Sequence, residues 1–320
     1  MAVAVTIGVA LLGGCTTRTA PDWRLPSPAA AAPTSAPPSG APAPSTTTVP
    51  VVPSGVVVGY AVYDRQSRTT TLQQDATRRF RSASLVKLLL ALDYLWNRGP
   101  GYAVPTADRT KLDIMLRSSD DNAASYFYQN AGREQSVTRM ITRLGLSHTA
   151  APPAGRGWGT AAFSATDTVR IYRYLLDEAP APVRDLIMGD LHQSTKCGSD
   201  HFDQSFGIPA AFGRPWSAKQ GWYGFGDVPA KPCTAPAAWP EPAPAPDDLA
   251  IGPVVLPLLA PDVDVAGAVL HTTGTVGADD RIIIAVLTRH PVGTTFDRTA
   301  ATVTALAQAL QIPVGAPSST

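Results

Sequence analysis

Ser84-Leu85-Val86-Lys87 heads an apolar run that continues to Trp96. Residues i and i+3 of a helix share one face about 5–6 Å apart, so the Lys87 amine can reach the Ser84 hydroxyl. A hydroxyl and an amine so placed make a nucleophile and its base. A serine in the first helical turn also neighbours backbone N–H groups without helical partners, which can stabilise a developing oxyanion. Alone, the pattern arises often by chance, and an exposed cap with a surface lysine reads the same way. Here Leu85, Val86, Leu88, Leu89, Leu90 and Leu92 wrap most of the circumference, the mark of a buried helix with its N-terminus at a cleft floor.

Outward from this helix, Val56 to Arg65 alternates as a strand, Gln66-Ser67-Arg68 turns, and Thr69 to Gln74 reads as its hairpin partner. Helical periodicity recurs in Asp108–Leu116, Ala123–Asn130, Glu134–Leu144, Ala165–Asp177 and Val183–Leu191. Strand character returns in Trp216–Trp222, Val265–Thr273 and Arg281–Thr288, the last two joined by a turn around Gly277-Ala278-Asp279-Asp280. An amphipathic helix from about Thr295 to Leu310 closes the chain. Strands first and last with helices between predict an α+β fold: both chain ends build one antiparallel sheet, packed beside an all-helical lobe.

Two further elements follow in order, Ser119-Asp120-Asp121 and Lys219-Gln220-Gly221. With the first, and with Met115-Leu116-Arg117 and Ala123-Ala124-Ser125 as flanks, they resemble the S-x-x-K, S-D-N and K-T-G elements of class A β-lactamases and penicillin-binding proteins. The resemblance covers roughly residues 55–312 and is nearest to bacterial lipoproteins carrying such a domain. It implies a β-lactamase/transpeptidase-like fold with the active site between sheet and helical lobe. Ser84 would be the acylated nucleophile, Lys87 its base, Ser119 the proton carrier to the leaving nitrogen, and Lys219 a cation favouring that charge and a substrate carboxylate. Asp121, Gln220, Gly221 and Trp222 would touch substrate. The backbone N–H groups of Ser84 and Trp222 would hold the oxyanion, and Gly221 would leave room for the acyl group.

Three residues depart from that pattern. Asp121 stands where the family has an asparagine, and an ionised aspartate accepts hydrogen bonds but cannot donate one. Using Asn122 instead would shift the register and put Asp120 in place of the proton-carrying serine, so Asp121 is the preferred match. Gln220 replaces a hydroxyl residue. The stretch Leu144–Ala165, where class A enzymes keep the glutamate that activates the deacylating water, holds His148, Thr149, Trp158 and Ser164 but no carboxylate. Asp167 reads as a helix-start residue in Ser164-Ala165-Thr166-Asp167. Slow deacylation, or transfer to an amine, is therefore expected. His148 and His271 read as satisfied surface or core histidines and Trp158 as packing, while Trp222 is open between packing and pocket.

Residues 5–14 form a short apolar segment before Cys15 and read as a lipoprotein signal peptide, with lipid on Cys15; the segment is too short to span a membrane. No Lys or Arg precedes Cys15, so translation is expected to start upstream. Residues 15–53, dominated by Pro, Ala, Ser and Thr, read as a disordered tether reaching at most about 120 Å. The expected organisation is residues 1–14 signal peptide, 15–53 tether, 54–313 β-lactamase-like domain with a Pro- and Ala-rich insertion at 223–264, and 314–320 tail. The protein would sit on the extracytoplasmic side of the cell membrane as a monomer.

A formal charge of +1 without a basic block argues against nucleic acid. No metal-ligand spacing and no glycine-rich nucleotide loop is present in the sequence, so neither metal nor cofactor is expected. In an exported chain, Cys197 and Cys233 are expected to pair. The reading is a lipid-anchored serine acyl-enzyme acting on peptidoglycan stem peptides or β-lactams. A degenerate relative that binds wall peptides or a protein partner stands as the alternative.

Overall fold

The computed structural model describes residues 52–96, 98–235, 267–310 and 312. The signal segment, Cys15, almost all of the tether, residues 236–264 of the insertion and the tail lie outside the described residues.

Strands β1 (Val57–Asp64) and β2 (Thr69–Gln74) form the expected N-terminal hairpin. β5 (Trp216–Tyr223), β6 (Ala268–Val276) and β7 (Ile282–His290) complete an antiparallel sheet of order β2-β1-β7-β6-β5. The two chain ends meet where β1 pairs with β7, Val57 opposite Arg289 and Asp64 opposite Ile282. Strand alternation divides the sheet's residues between two cores. Tyr60, Val62, Trp216, Ile284 and Val286 face the closing helix α8 (Phe296–Ala309) and its Leu306. Ala61, Tyr63, Ile283, Ala285 and Leu287 face the helical lobe.

That lobe contains α1 (Lys87–Trp96), α2 (Thr106–Arg117), α3 (Asp121–Asn130), α4 (Glu134–Leu144), α5 (Ala165–Arg173) and α6 (Ala181–His192). As its all-round apolar surface predicts, α1 is the buried centre, packed against α2, α3, α4 and α6. Its two buried charges are both answered: Asp93 by Arg139 and Arg143 of α4, and Lys87 at the site.

The structure adjusts the expected elements in three places. The Ser84 segment is a tight 3-10 turn, Ala83–Val86, and the α-helix begins at Lys87. β6 runs to Val276 rather than Thr273, because pairing of Val276 with Trp216 and Ile282 carries the ladder past Gly274. α5 passes into a π-helical turn, Tyr174–Glu178, that completes the long helical stretch. Sequence periodicity also overlooked short elements: the two-stranded pair β3 (Phe80–Arg81) and β4 (Ala162–Phe163), a 3-10 turn at Trp158–Thr160, and α7 (Ile208–Ala211).

Candidate active site

Three chain segments bring Ser84, Lys87, Ser119 and Lys219 together beside a cleft of about 770 Å³, lined among others by Ser84, Asp121, Trp158, Asp200 and Trp222. Ala83, at φ +45°, turns the chain so that Ser84 heads the buried helix at the cleft edge. Positive φ in a non-glycine residue is costly and clusters at functional sites.

Lys87 is fully buried, and its Nζ lies 2.9 Å from Ser84 Oγ. The same nitrogen meets the Ser119 carbonyl oxygen at 2.5 Å, Asp121 Oδ1 at 2.6 Å and Ser119 Oγ at 3.4 Å. Burial pushes the Lys87 pKa below the ordinary lysine value, while Asp121 pulls it upward by charge and hydrogen bond. The net direction is down. A neutral Lys87 keeps two N–H bonds, to the Ser119 carbonyl and Asp121, and has its lone pair for the Ser84 proton.

Ser119 sits in the short connection between α2 and α3 with φ +61°. Asp120 serves as N-cap of α3, accepting from the Ala123 N–H at 2.7 Å. This use of Asp120 fixes the register: Asp121 reaches Lys87, and Asn122 is exposed. Lys219 Nζ, on the buried strand β5, donates to Ser119 Oγ at 2.7 Å. Burial and the neighbouring Lys87 charge push the Lys219 pKa well below the ordinary value. The Ser119 hydroxyl therefore lies between two amines.

Gly221 serves a different neighbour from the one expected. A β-carbon there would stand 3.1 Å from the Ser82 carbonyl oxygen and 3.2 Å from Leu85 Cγ, so its absence lets β5 close onto the turn that carries Ser84. Gln220, expected at the substrate, is buried and donates to the Gln204 and Phe206 carbonyls at 3.1 and 2.6 Å, away from the cleft lining. Trp222 lines the cleft and donates from Nε1 to Asp200 Oδ2 at 2.9 Å.

The stretch Leu144–Ala165 contributes Gly155 to Thr160 to the cleft wall and no carboxylate. Its Trp158 lies with the ring centroid 4.7 Å from Lys87 Nζ, and donates to Ser125 Oγ at 3.2 Å, so it packs and also shields the amine. Asp167 is buried and accepts from the His148 N–H and the Thr149 hydroxyl, both at 2.7 Å, while Ser164 Oγ caps its N–H. Its N–H is capped at the helix start as expected, and its carboxylate also holds the loop base, a role the sequence reading did not give it. His271 is buried, accepting at Nδ1 from the Thr288 N–H and donating from Nε2 to the Arg81 carbonyl. Burial drives its pKa to about 4, so it is a neutral structural residue.

Asp200 was missed. It lies in the loop after α6, with no motif around it; only the Cys197–Cys233 pair hints that this loop is drawn to the cleft. The disulfide is present, with the Cα atoms 5.6 Å apart. The loop is tied to the second motif by Ser199 N–H donating to the Ser118 carbonyl at 2.8 Å, and by Gln204 donating to the Arg117 carbonyl at 2.7 Å. Arg81 on the cleft wall was also missed; its guanidinium carbon lies 3.2 Å from the Tyr223 ring centroid.

The fold is that of class A β-lactamases and penicillin-binding proteins. A class A β-lactamase from Mycobacterium abscessus is 17% identical over 80% of this chain and 93% of its own, with a TM-score of 0.53. PBP-A is 12% identical over 81% of this chain and 89% of its own, with a TM-score of 0.55. In sequence, the protein named "Putative lipoprotein LppW" of Mycobacterium tuberculosis, strain H37Rv, is 38% identical over 173 residues, 52% of this chain and 54% of its own length. The chain thus spans about half the length of the curated relatives it matches; the relative of the same name in Mycobacterium bovis matches equally. No family model matches the sequence. Among the described residues, no group of three or more His, Cys, Asp or Glu could hold a metal ion, and no helix is long and apolar enough to cross a membrane.

Proposed function

We propose that this protein is a serine acyl-enzyme that takes acyl groups from peptidoglycan stem peptides or β-lactams. The observation that carries the reading is the buried Lys87 amine 2.9 Å from Ser84 Oγ, within the reach a general base needs. Neutral Lys87 takes the Ser84 proton as Oγ attacks the substrate carbonyl, giving a tetrahedral intermediate whose oxyanion rests on the Ser84 and Trp222 N–H groups. Ser119 gives its proton to the leaving nitrogen as the C–N bond breaks. It is reprotonated through Lys87, leaving an ester on Ser84. Lys219, 2.7 Å from Ser119 Oγ, lowers the cost of charge there and attracts a substrate carboxylate.

The fold likeness to a variant of PBP-A solved as an acyl-enzyme with penicillin G supports this chemistry. The relatives' lipoprotein name, with the apolar segment ahead of Cys15, supports attachment through lipid at Cys15 on the outer side of the cell membrane. A tether and domain so anchored would work on the wall as a monomer, with residues 54–313 as the acting domain. Asp121 favours one rival: a carboxylate on the base suits a degenerate site retained to bind wall peptides or a partner. Intact-mass measurement with benzylpenicillin and an activated ester decides between them. One acyl group on wild type and none on Ser84→Ala is expected. No adduct with any of several β-lactams and esters defeats the acyl-enzyme reading and favours the binding one.

A further inference from the structure

The wall stretch that should supply a water-activating carboxylate is bare, yet other walls of the cleft carry Asp121, Asp200 and Asp227; Asp121 and Asp227 are exposed, and Asp200 is the half-buried one. Asp200 lines the same cleft as Ser84, on the loop that packs against Ser118. Ser119, the next residue, serves the leaving group in the reading above, on which this inference rests. By microscopic reversibility, an amine of the kind that departs re-enters, as the nucleophile that resolves the acyl-enzyme, along the path it left by, and water can use the same opened side. We propose that Asp200 is the general base for that nucleophile, water or a primary amine, on the Ser119 side of the cleft.

The carboxylate is built into position. Its Oδ2 accepts from Trp222 Nε1 at 2.9 Å and its Oδ1 from the Phe202 N–H at 3.2 Å, leaving lone pairs on both oxygens. Gly198 makes room for it, since a β-carbon there would lie 2.6 Å from Oδ1 and 3.1 Å from the Trp222 ring. The Cys197–Cys233 bond and the Cys233 N–H to His201 carbonyl bond at 2.8 Å hold the loop from its other side. Lys87 of α1, Asp121 of α3 and Lys219 of β5 all act on Asp200 electrostatically, and Lys196, His201 and Asp203 share its loop. Burial raises its pKa, the Asp121 charge adds to the rise, and the Phe202 and Trp222 hydrogen bonds and the Lys87 charge oppose it. A raised carboxylate is a stronger base than an ordinary one.

Water oxygen bonds to the ester carbon as its proton passes to Asp200. That proton returns through solvent and Lys87, whose Nζ lies 2.9 Å from Ser84 Oγ, to the serine oxygen as the carbon–Oγ bond breaks, releasing the acid and restoring Ser84 and the Asp200 carboxylate. With an amine, the same transfers release an amide. A linear ester or peptide sheds its leaving group and opens this side of the cleft. A β-lactam keeps its amine tethered to the acyl fragment, so the Asp200 side stays blocked.

The test is burst kinetics with a p-nitrophenyl ester of an N-acyl amino acid. Wild type should show a burst followed by turnover. Asp200→Asn should keep a burst of one equivalent and lose about a hundredfold in steady turnover, the usual share of a general base. Wild-type turnover should rise with pH through an inflection above the ordinary carboxylate range, absent in Asp200→Asn. Trp222→Phe removes a bond that stabilises the carboxylate and should move the inflection to higher pH. Turnover of Asp200→Asn within about threefold of wild type, or the same inflection without the carboxylate, overturns the proposal and leaves the acyl-enzyme reading standing. If Asp200→Asn loses the burst through misfolding, an unmoved inflection in Trp222→Phe overturns it. Absence of a burst in wild type overturns both.

Discussion

Lys87 Nζ and Asp121 Oδ1 stand 2.6 Å apart, a pairing in which the lysine is fully buried and the aspartate side chain is 68% exposed. The asymmetry decides what the pair does. Lys87 is cut off from solvent by burial, and Asp121 opposes that burial by favouring charge on the amine through its own charge and hydrogen bond. The carboxylate therefore acts as a brake on the base.

Removing the brake should quicken acylation. Asp121→Asn takes away the charge that raises the Lys87 pKa, so a larger fraction of Lys87 is neutral near pH 7, and it supplies an amide donor facing the cleft. Acylation by benzylpenicillin should rise about three- to tenfold, as a shift of up to about one pKa unit would give. Stopped-flow or timed mass measurements check this; an unchanged or slower rate in a folded variant defeats the brake.

A penicilloyl adduct should be long-lived in the wild type and equally so in Asp200→Asn. The cleft wall from Gly155 to Thr160 offers no carboxylate, and the tethered β-lactam amine covers the side from which Asp200 would act. Following adduct mass over hours gives the lifetime. Turnover as rapid as that of a competent β-lactamase would mean that another base serves that wall.

How much of this was readable beforehand depends on how local each signal is. Ser84 and Lys87 lie one helical turn apart, and their burial follows from the leucines around them, so both were legible. Ser119 and Lys219 came with order and flanks. The sheet's closure by both chain ends was legible because alternation and turn residues mark each strand. Gln220 was misjudged although strand alternation carries the answer: if Lys219 points to Ser119, its neighbour points the other way. Asp200 was invisible because it sits in an irregular loop held by ties from Ser118, Trp222 and Cys233, all distant in sequence. The 3-10 start of the helix was hidden too, since a positive φ at Ala83 has no signature in an alanine.

Gly221→Ala should destabilise the fold and slow acylation together. The new β-carbon meets the Ser82 carbonyl and Leu85, which belong to the turn presenting Ser84, so relief of the clash must move either that turn or β5. Overpacking of this kind costs about 1–3 kcal/mol. Thermal unfolding and acylation rates measure the two effects. Full acylation with unchanged melting would show that the contact is not tight.

A pH signature independent of the site comes from His192 at the end of α6. Its Nε2 lies 3.2 Å from Asp280 Oδ2 beside β7, its Nδ1 is 3.0 Å from the Trp216 carbonyl, and the Asp280 bond leads in raising its pKa. A folded pKa above the unfolded one gives stability that is complete below the unfolded value, near 6.5, and is lost as pH rises through the folded value. Asp280 is lowered despite its burial, by bonds from His192 and Thr275, so its share vanishes in acid as pH falls through its folded value. Melting temperature should fall as pH rises above about 6.5 in wild type and fall less steeply in His192→Asn. Identical slopes would show that the pair does not clamp the lobe to the sheet.

Loss of the disulfide should cost both stability and turnover, in separable amounts. Cys197 and Cys233 close a loop across a separation of 36 residues that contains β5. Closing such a loop in the unfolded chain is worth roughly 3–4 kcal/mol, so Cys197→Ser with Cys233→Ser should unfold at correspondingly lower denaturant. The bond also holds the segment that carries Asp200 against Trp222, whereas Lys87 and Ser84 are positioned by the buried helix and its turn. The double variant should therefore keep most of its ester burst and lose turnover by tenfold or more. An equal loss of burst and turnover would show that the bond supports the whole domain rather than the Asp200 loop.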